Sequence, residues 1–176
     1  MNLISLKISK LLLLPLVALN ITASLAMAEQ APPAAQYYPL EGKWKGKAEM
    51  VEPGQAPVKL DMTFSCRKVS SGWGIACDMN AKNKEMMISE SDLMGVDPVT
   101  GKGHWYAITN MGETHDHQAE WSDANTMHAH YAWEQDGKQM EEKVEFNFKS
   151  AKTVNFRSVV TMNGQVAGEF SGSLKK

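Results

Sequence analysis

The sequence predicts an all-β chain folded as a single up-and-down antiparallel barrel of about ten strands. From Gly42 onward, apolar and polar residues alternate with period two, the spacing that puts side chains on one face of a strand. Turn signals break the alternation every eight to twelve residues, most legibly at Ser71-Gly72, Asp97-Pro98, Met111-Gly112, Asp136-Gly137 and Asn163-Gly164. No segment carries a helical stripe.

The first two strands are read at 41–51 and 58–69, and Ser71-Gly72 turns the chain into a third at 73–80. The fourth spans 85–96, and the turn DPVTGK separates it from a fifth at 103–110. Met111-Gly112 leads to a sixth at 113–121, and SDAN joins that to a seventh at 126–135. Asp136-Gly137 opens the eighth at 138–149; the ninth covers 153–162, and Asn163-Gly164 introduces the tenth at 165–174. Asp-Gly and Asn-Gly are strong hairpin signals because both central residues of a type I′ turn need positive φ. A meander of sequential neighbours closes most simply as a barrel, which leaves no exposed edge.

Residues 1–28 read as a secretory signal peptide: Lys7 and Lys10 precede the apolar run LLLLPLVAL, and AMA gives a cleavage site near Ala28. The apolar run is shorter than the ~20 residues of a membrane span, and no stop-transfer segment follows. No cysteine lies there to take a lipid. A periplasmic protein is therefore expected. Residues 29–38, EQAPPAAQYY, read as a flexible lead-in, and 39–176 as one domain with one core. Losing Lys7 and Lys10 takes the net charge from −2 to −4. With no Lys/Arg run, the composition argues against nucleic acid or anionic lipid as a partner; no protein partner can be read.

Three segments carry a family resemblance. LEGKWKG at 40–46 contains a Gly-x-Trp, Gly42-Lys43-Trp44, like the one that begins the first strand of lipocalins. GVDPVTGK before an aromatic strand, and AEWSDANTM before another, resemble bacterial lipocalin-like proteins grouped as a domain of unknown function. The resemblance spans most of residues 40–174 and implies a calycin-type barrel with an internal cavity; it implies no settled activity.

In LDMTFSCRKVSSGWGIACDM, a two-residue Ser71-Gly72 loop sets Cys66 opposite Cys77. Both share an apolar face with Leu60, Met62, Phe64, Trp73, Ile75 and Met79. An oxidising compartment makes this pair a disulfide; two buried thiols are the alternative.

ETHDHQAEWSDANTMHAHYAW, residues 113–133, carries two His-x-His pairs, His115/His117 and His128/His130. One register brings all four together, and a one-residue slip sends the second pair to the opposite face. Asp136-Gly137 as a two-residue turn pairs Trp133 with Met140 and Tyr131 with Glu142 on the core face, leaving His128 and His130 beside Glu145 and Lys143. Gathering four histidines would strand Met127, Tyr131 and Trp133 in water at ~1.5–3 kcal/mol each. The split register is therefore expected, with His128 and His130 outside as at most a weak surface metal pair. Reading Met111-Gly112 as a two-residue turn then faces Tyr106 to His117, so that Tyr106, His117, Tyr131 and Glu142 form one inward row. His115 and Trp133 lie on one side of that row and His104 on the other.

Three uses of this interior follow. It can bind a small, partly apolar ligand through Tyr106, His117, Tyr131, Glu142, His115, Trp133 and His104, or the same groups can be a self-satisfied polar network. No cofactor is expected under the first reading. The second is a divalent metal, copper or haem held by His104, His115 and His117. Methionines suit copper, but they are scattered at core parity as filler. An enzyme ranks third, because the chain has no nucleophile elbow, phosphate loop or His-Glu-x-x-His motif.

Overall fold

The computed structural model describes residues 33–176; the signal peptide read in residues 1–28 lies outside them. Ten strands follow in order: β1 (Gly42–Val51), β2 (Val58–Val69), β3 (Gly74–Lys82), β4 (Met87–Val96), β5 (Gly103–Thr109), β6 (Thr114–Trp121), β7 (Thr126–Gln135), β8 (Lys138–Ser150), β9 (Thr153–Met162) and β10 (Gln165–Lys175). Each pairs antiparallel with the next, and β1 pairs with β10 to close the barrel. Every boundary lies within two residues of its sequence expectation.

The alternation explains the packing. On β2, Leu60, Met62, Phe64 and Cys66 are buried while Lys59, Asp61, Thr63, Ser65 and Arg67 are exposed. An apolar interior within a polar exterior is the reverse of a barrel that faces lipid. Among the described residues no helix is long and apolar enough to cross a membrane.

Pro33–Leu40 forms a 3-10 helix rather than the flexible lead-in its Pro/Ala content suggests. The side chains decide this: Ala34, Tyr37 and Leu40 are fully buried. Trp44 donates from Nε1 to the Leu40 carbonyl at 2.7 Å, and the Tyr38 hydroxyl donates to the Gly72 carbonyl at 3.0 Å. The helix thus packs at the end of the barrel where β1 and β5 begin and β2 ends. Gly103 leaves it room, since a methyl group there would collide with the Tyr37 hydroxyl and the Ala119 carbonyl. Gly103→Ala is expected to lower stability by about 1–3 kcal/mol, read from the urea midpoint.

Cys66 lies opposite Cys77 and the two form a disulfide. It closes a short loop, with a sequence separation of 11. Replacing both residues by serine is expected to cost about 2–3 kcal/mol in urea unfolding, through the freedom returned to the unfolded chain.

Two turns differ from the sequence reading. Between β2 and β3 the loop is four residues, Ser70–Trp73, with φ of 50° at Ser70, 54° at Ser71 and 92° at Gly72. The register is unchanged, but Trp73 lies in the loop instead of the core and is 55% exposed. Between β5 and β6, the loop is Asn110-Met111-Gly112, with Gly112 at φ +84° and the Thr109 N–H donating to the Glu113 carbonyl at 3.0 Å. A glycine in the left-handed region at the third position marks a three-residue hairpin. The extra residue shifts the register by one, so Trp105 faces His117, Tyr106 faces Asp116 and His104 faces Gln118.

Candidate functional site

The interior polar group is assembled first from four strands. On β6, His115, His117 and Ala119 alternate inward; on β8, so do Met140, Glu142 and Val144; β9 supplies Ser158 and β5 supplies Trp105. Glu142 is the hub. Its Oε2 lies 3.1 Å from His115 Nδ1 and 3.0 Å from His117 Nε2, and its Oε1 accepts from the Ser158 hydroxyl at 2.6 Å. Burial opposes ionisation of Glu142, but the hydrogen bonds from His115, His117 and Ser158 outweigh it, holding the carboxyl far below its usual range. The His115 pKa is raised, first by its hydrogen bond to Glu142, with burial acting against it.

The rings are held as well as bonded. His117 is 2% exposed, and its Nδ1 lies 3.3 Å from the Trp105 carbonyl. Both nitrogens of His117 thus face oxygen atoms, Nε2 the Glu142 carboxylate and Nδ1 the Trp105 carbonyl. Tyr131 stacks on His115 with centroids 4.7 Å apart, Trp133 stacks on Tyr131 at 5.2 Å, and Trp105 lies 5.0 Å from His117.

The neighbouring strand β4 adds two acids, Glu90 and Asp92. Trp105 Nε1 donates to Asp92 Oδ1 at 2.7 Å, while Asp92 Oδ2 has no fixed donor. Burial and then the Asp92 charge raise the Glu90 pKa far above the carboxylate range, and burial raises that of Asp92 as well. The two acids interact with each other, and each shifts the other's titration.

These groups border a cavity of about 370 Å³. Met50, Met62, Met79, Met140, Phe64, Phe146, Phe156 and Phe170 provide apolar wall, while Glu52, Thr109, Met111, Glu113, Gln135 and Glu169 lie towards the end of the barrel remote from the 3-10 helix. Among the described residues, five glutamates line the cavity, Glu52, Glu90, Glu113, Glu142 and Glu169, and no lysine or arginine does.

Of the residues expected inside, His115, His117, Tyr131, Trp133 and Glu142 come together. Tyr106 and His104 do not, because the three-residue β5–β6 loop turns them outward. Tyr106 is 43% exposed and His104 lies 3.3 Å from Asp116 on the outer face. His104 is therefore no ligand for an interior metal. The expected split of the histidine pairs is found: β6 and β7 pair Gln118 with His130 and Glu120 with His128. His130 bonds Glu141 at 2.9 Å and His128 bonds Ser122 at 3.1 Å, both on the outside.

No family model matches the chain, and no curated protein matches it. Its barrel is similar to that of Rv2717c from M. tuberculosis, with a TM-score of 0.63 at 12% identity over 83% of this chain and 98% of the other. The shared fold is a closed up-and-down antiparallel barrel, of ten strands in this chain. The S-type phycobiliprotein lyase CPES from Guillardia theta is similar too, at TM-score 0.54 and 12% identity over 79% of this chain and 88% of the lyase. A DUF3598-family protein of unknown function from Nostoc punctiforme reaches TM-score 0.53 at 9% identity over 78% of this chain and 48% of its own. At such identities the likeness establishes architecture and leaves the site to its own chemistry.

Sequence reasoning missed Glu90, Asp92, Trp105 and Ser158. A signal existed for Ser158, which interrupts the inward row Val154, Phe156, Ser158, Val160. For β4 the two parities, Ile88-Glu90-Asp92-Met94 and Met87-Ser89-Ser91-Leu93, favour neither face by hydropathy.

Proposed function

We propose that this is an exported periplasmic protein that holds one small, partly apolar molecule inside the barrel. The observation that carries the reading is the 370 Å³ cavity, apolar on its walls with the Glu142–His115–His117 group set among them. That combination of apolar wall and few convergent polar groups is the usual make-up of a small-molecule site. The methionines give the wall adaptability, since thioether chains repack around different shapes. The lining carries acids and no lysine or arginine, which favours a neutral or cationic ligand, such as an amine, over an anion. Export is supported by the signal-peptide pattern of residues 1–28.

Binding is tested with the neutral fluorophore N-phenyl-1-naphthylamine. The expected result is a saturable fluorescence rise at one probe per barrel. Val160 lines the cavity beside Glu142 on the adjacent strand, so Val160→Trp should fill the space and weaken binding at least tenfold while the melting curve stays cooperative. Equal probe binding by the wild type and a folded Val160→Trp variant would place the probe outside the cavity and remove the reading.

A further inference from the structure

We propose that His115 Nδ1, His117 Nε2 and Glu142 Oε2 form a binding site for one divalent first-row transition-metal ion, with its remaining coordination positions open to the cavity. The three atoms lie within 4.8 Å of one another. In a tetrahedral site with ligand bonds of ~2.0–2.2 Å, neighbouring ligand atoms stand about 3.4 Å apart. The two histidine–glutamate separations, 3.1 Å and 3.0 Å, are therefore a few tenths of an ångström short of that spacing. Side-chain adjustment alone can admit the ion, which takes the place of the hydrogens now directed at Oε2.

Each ligand already has the outer support that metal ligands need. Ser158 holds the other oxygen of Glu142 at 2.6 Å, the Trp105 carbonyl lies 3.3 Å from the other nitrogen of His117, and Tyr131 is stacked on His115. The donors set the class of ion. Two imidazoles and one carboxylate suit Zn²⁺, Mn²⁺, Fe²⁺ or Co²⁺; Ca²⁺ and Mg²⁺ want oxygen ligands, and Cu(I) wants sulfur. Both cysteines are committed to the disulfide. The glutamate-lined cavity draws cations towards this end of the site, and a bound ion would keep open positions for water or for a ligand's donor atom. This inference goes beyond the small-molecule reading and rests only on the cluster.

The test uses the mature chain, stripped with chelator and titrated with Co²⁺ by visible absorption and with Zn²⁺ by calorimetry, with no organic probe present. One equivalent is expected, with the absorption bands of cobalt bound to nitrogen and oxygen. His115→Ala and Glu142→Gln should each weaken binding more than tenfold, and Ser158→Ala by roughly tenfold to a hundredfold. The outer-face variant His128→Ala/His130→Ala should bind as the wild type does. Near-ultraviolet circular dichroism verifies folding, and His115, the more exposed of the two rings, carries the comparison if Glu142→Gln unfolds. Absence of binding at micromolar metal overturns the proposal, as does binding that survives His115→Ala or disappears with the outer pair. A chain that binds N-phenyl-1-naphthylamine but no metal would fail this inference while keeping the cavity reading.

Discussion

Glu142→Ala is expected to destabilise the barrel by about 3 kcal/mol, the low end of what removing one partner of a buried charged pair costs. The carboxylate accepts from His115, His117 and Ser158 at once, so its loss leaves three part-buried donors without their acceptor. The loss should depend on pH. A histidine whose folded pKa is raised contributes stability that is fully present below its unfolded value, about 6.5, and lost as pH rises through the folded value. His115 is such a group and Glu142 is the first cause of its shift. Urea unfolding of the wild type and Glu142→Ala should therefore differ more at pH 6 than at pH 9. Equal differences at both would mean that the His115–Glu142 contact contributes no linkage in solution.

The parts of this site that the sequence shows plainly are those fixed by local turn chemistry and a one-sided apolar pattern. Asp136-Gly137 carries positive φ at both residues, 51° and 72°, as the two-residue hairpin requires, and the β7–β8 pairing follows from it. Met127, Tyr131 and Trp133 then fix which face of β7 turns inward and send His128 and His130 out. The β5–β6 hairpin has no such arbiter. Its glycine serves equally as the second residue of a two-residue turn or the third of a three-residue turn, and His104, Tyr106 and Ile108 look no less inward than Gly103, Trp105 and Ala107. What decides is distant in sequence: Tyr37 occupies the space that a side chain at position 103 would need. No local pattern reports a contact between a lead-in residue and the fifth strand. Glu90, Asp92 and Ser158 were hidden for another reason, because they break the apolar rule by which inward rows are recognised. Such breaks gather where a protein gives up pattern for a site.

Glu90→Gln tests that last point, and it is expected to stabilise the protein at neutral and alkaline pH. Burial first, and then the charges of Asp92 and Glu142, raise the Glu90 pKa, while His117 acts against them. The sign is fixed by linkage. A carboxyl with a raised folded pKa contributes stability that is complete below its unfolded value, about 4.3, and lost as pH rises through the folded value. Asp92 shifts in the same direction, so the wild type should weaken from pH 5 to pH 8, with a slope of up to about 1.4 kcal/mol per pH unit for each such group. Glutamine has the shape and the donor of the protonated acid but nothing to ionise. The variant should be roughly 2 kcal/mol more stable than the wild type at pH 8, an allowance of one to two pKa units, and about equal to it at pH 4. His115 also loses stability as pH rises, but in both proteins, so the difference between their curves isolates Glu90. Parallel curves from pH 4.5 to 8.5 would show that Glu90 ionises as freely in the barrel as in the unfolded chain. A widening gap would mean that folding itself takes up a proton, which keeps Glu90, Asp92 and Glu142 from all carrying charge together inside the barrel.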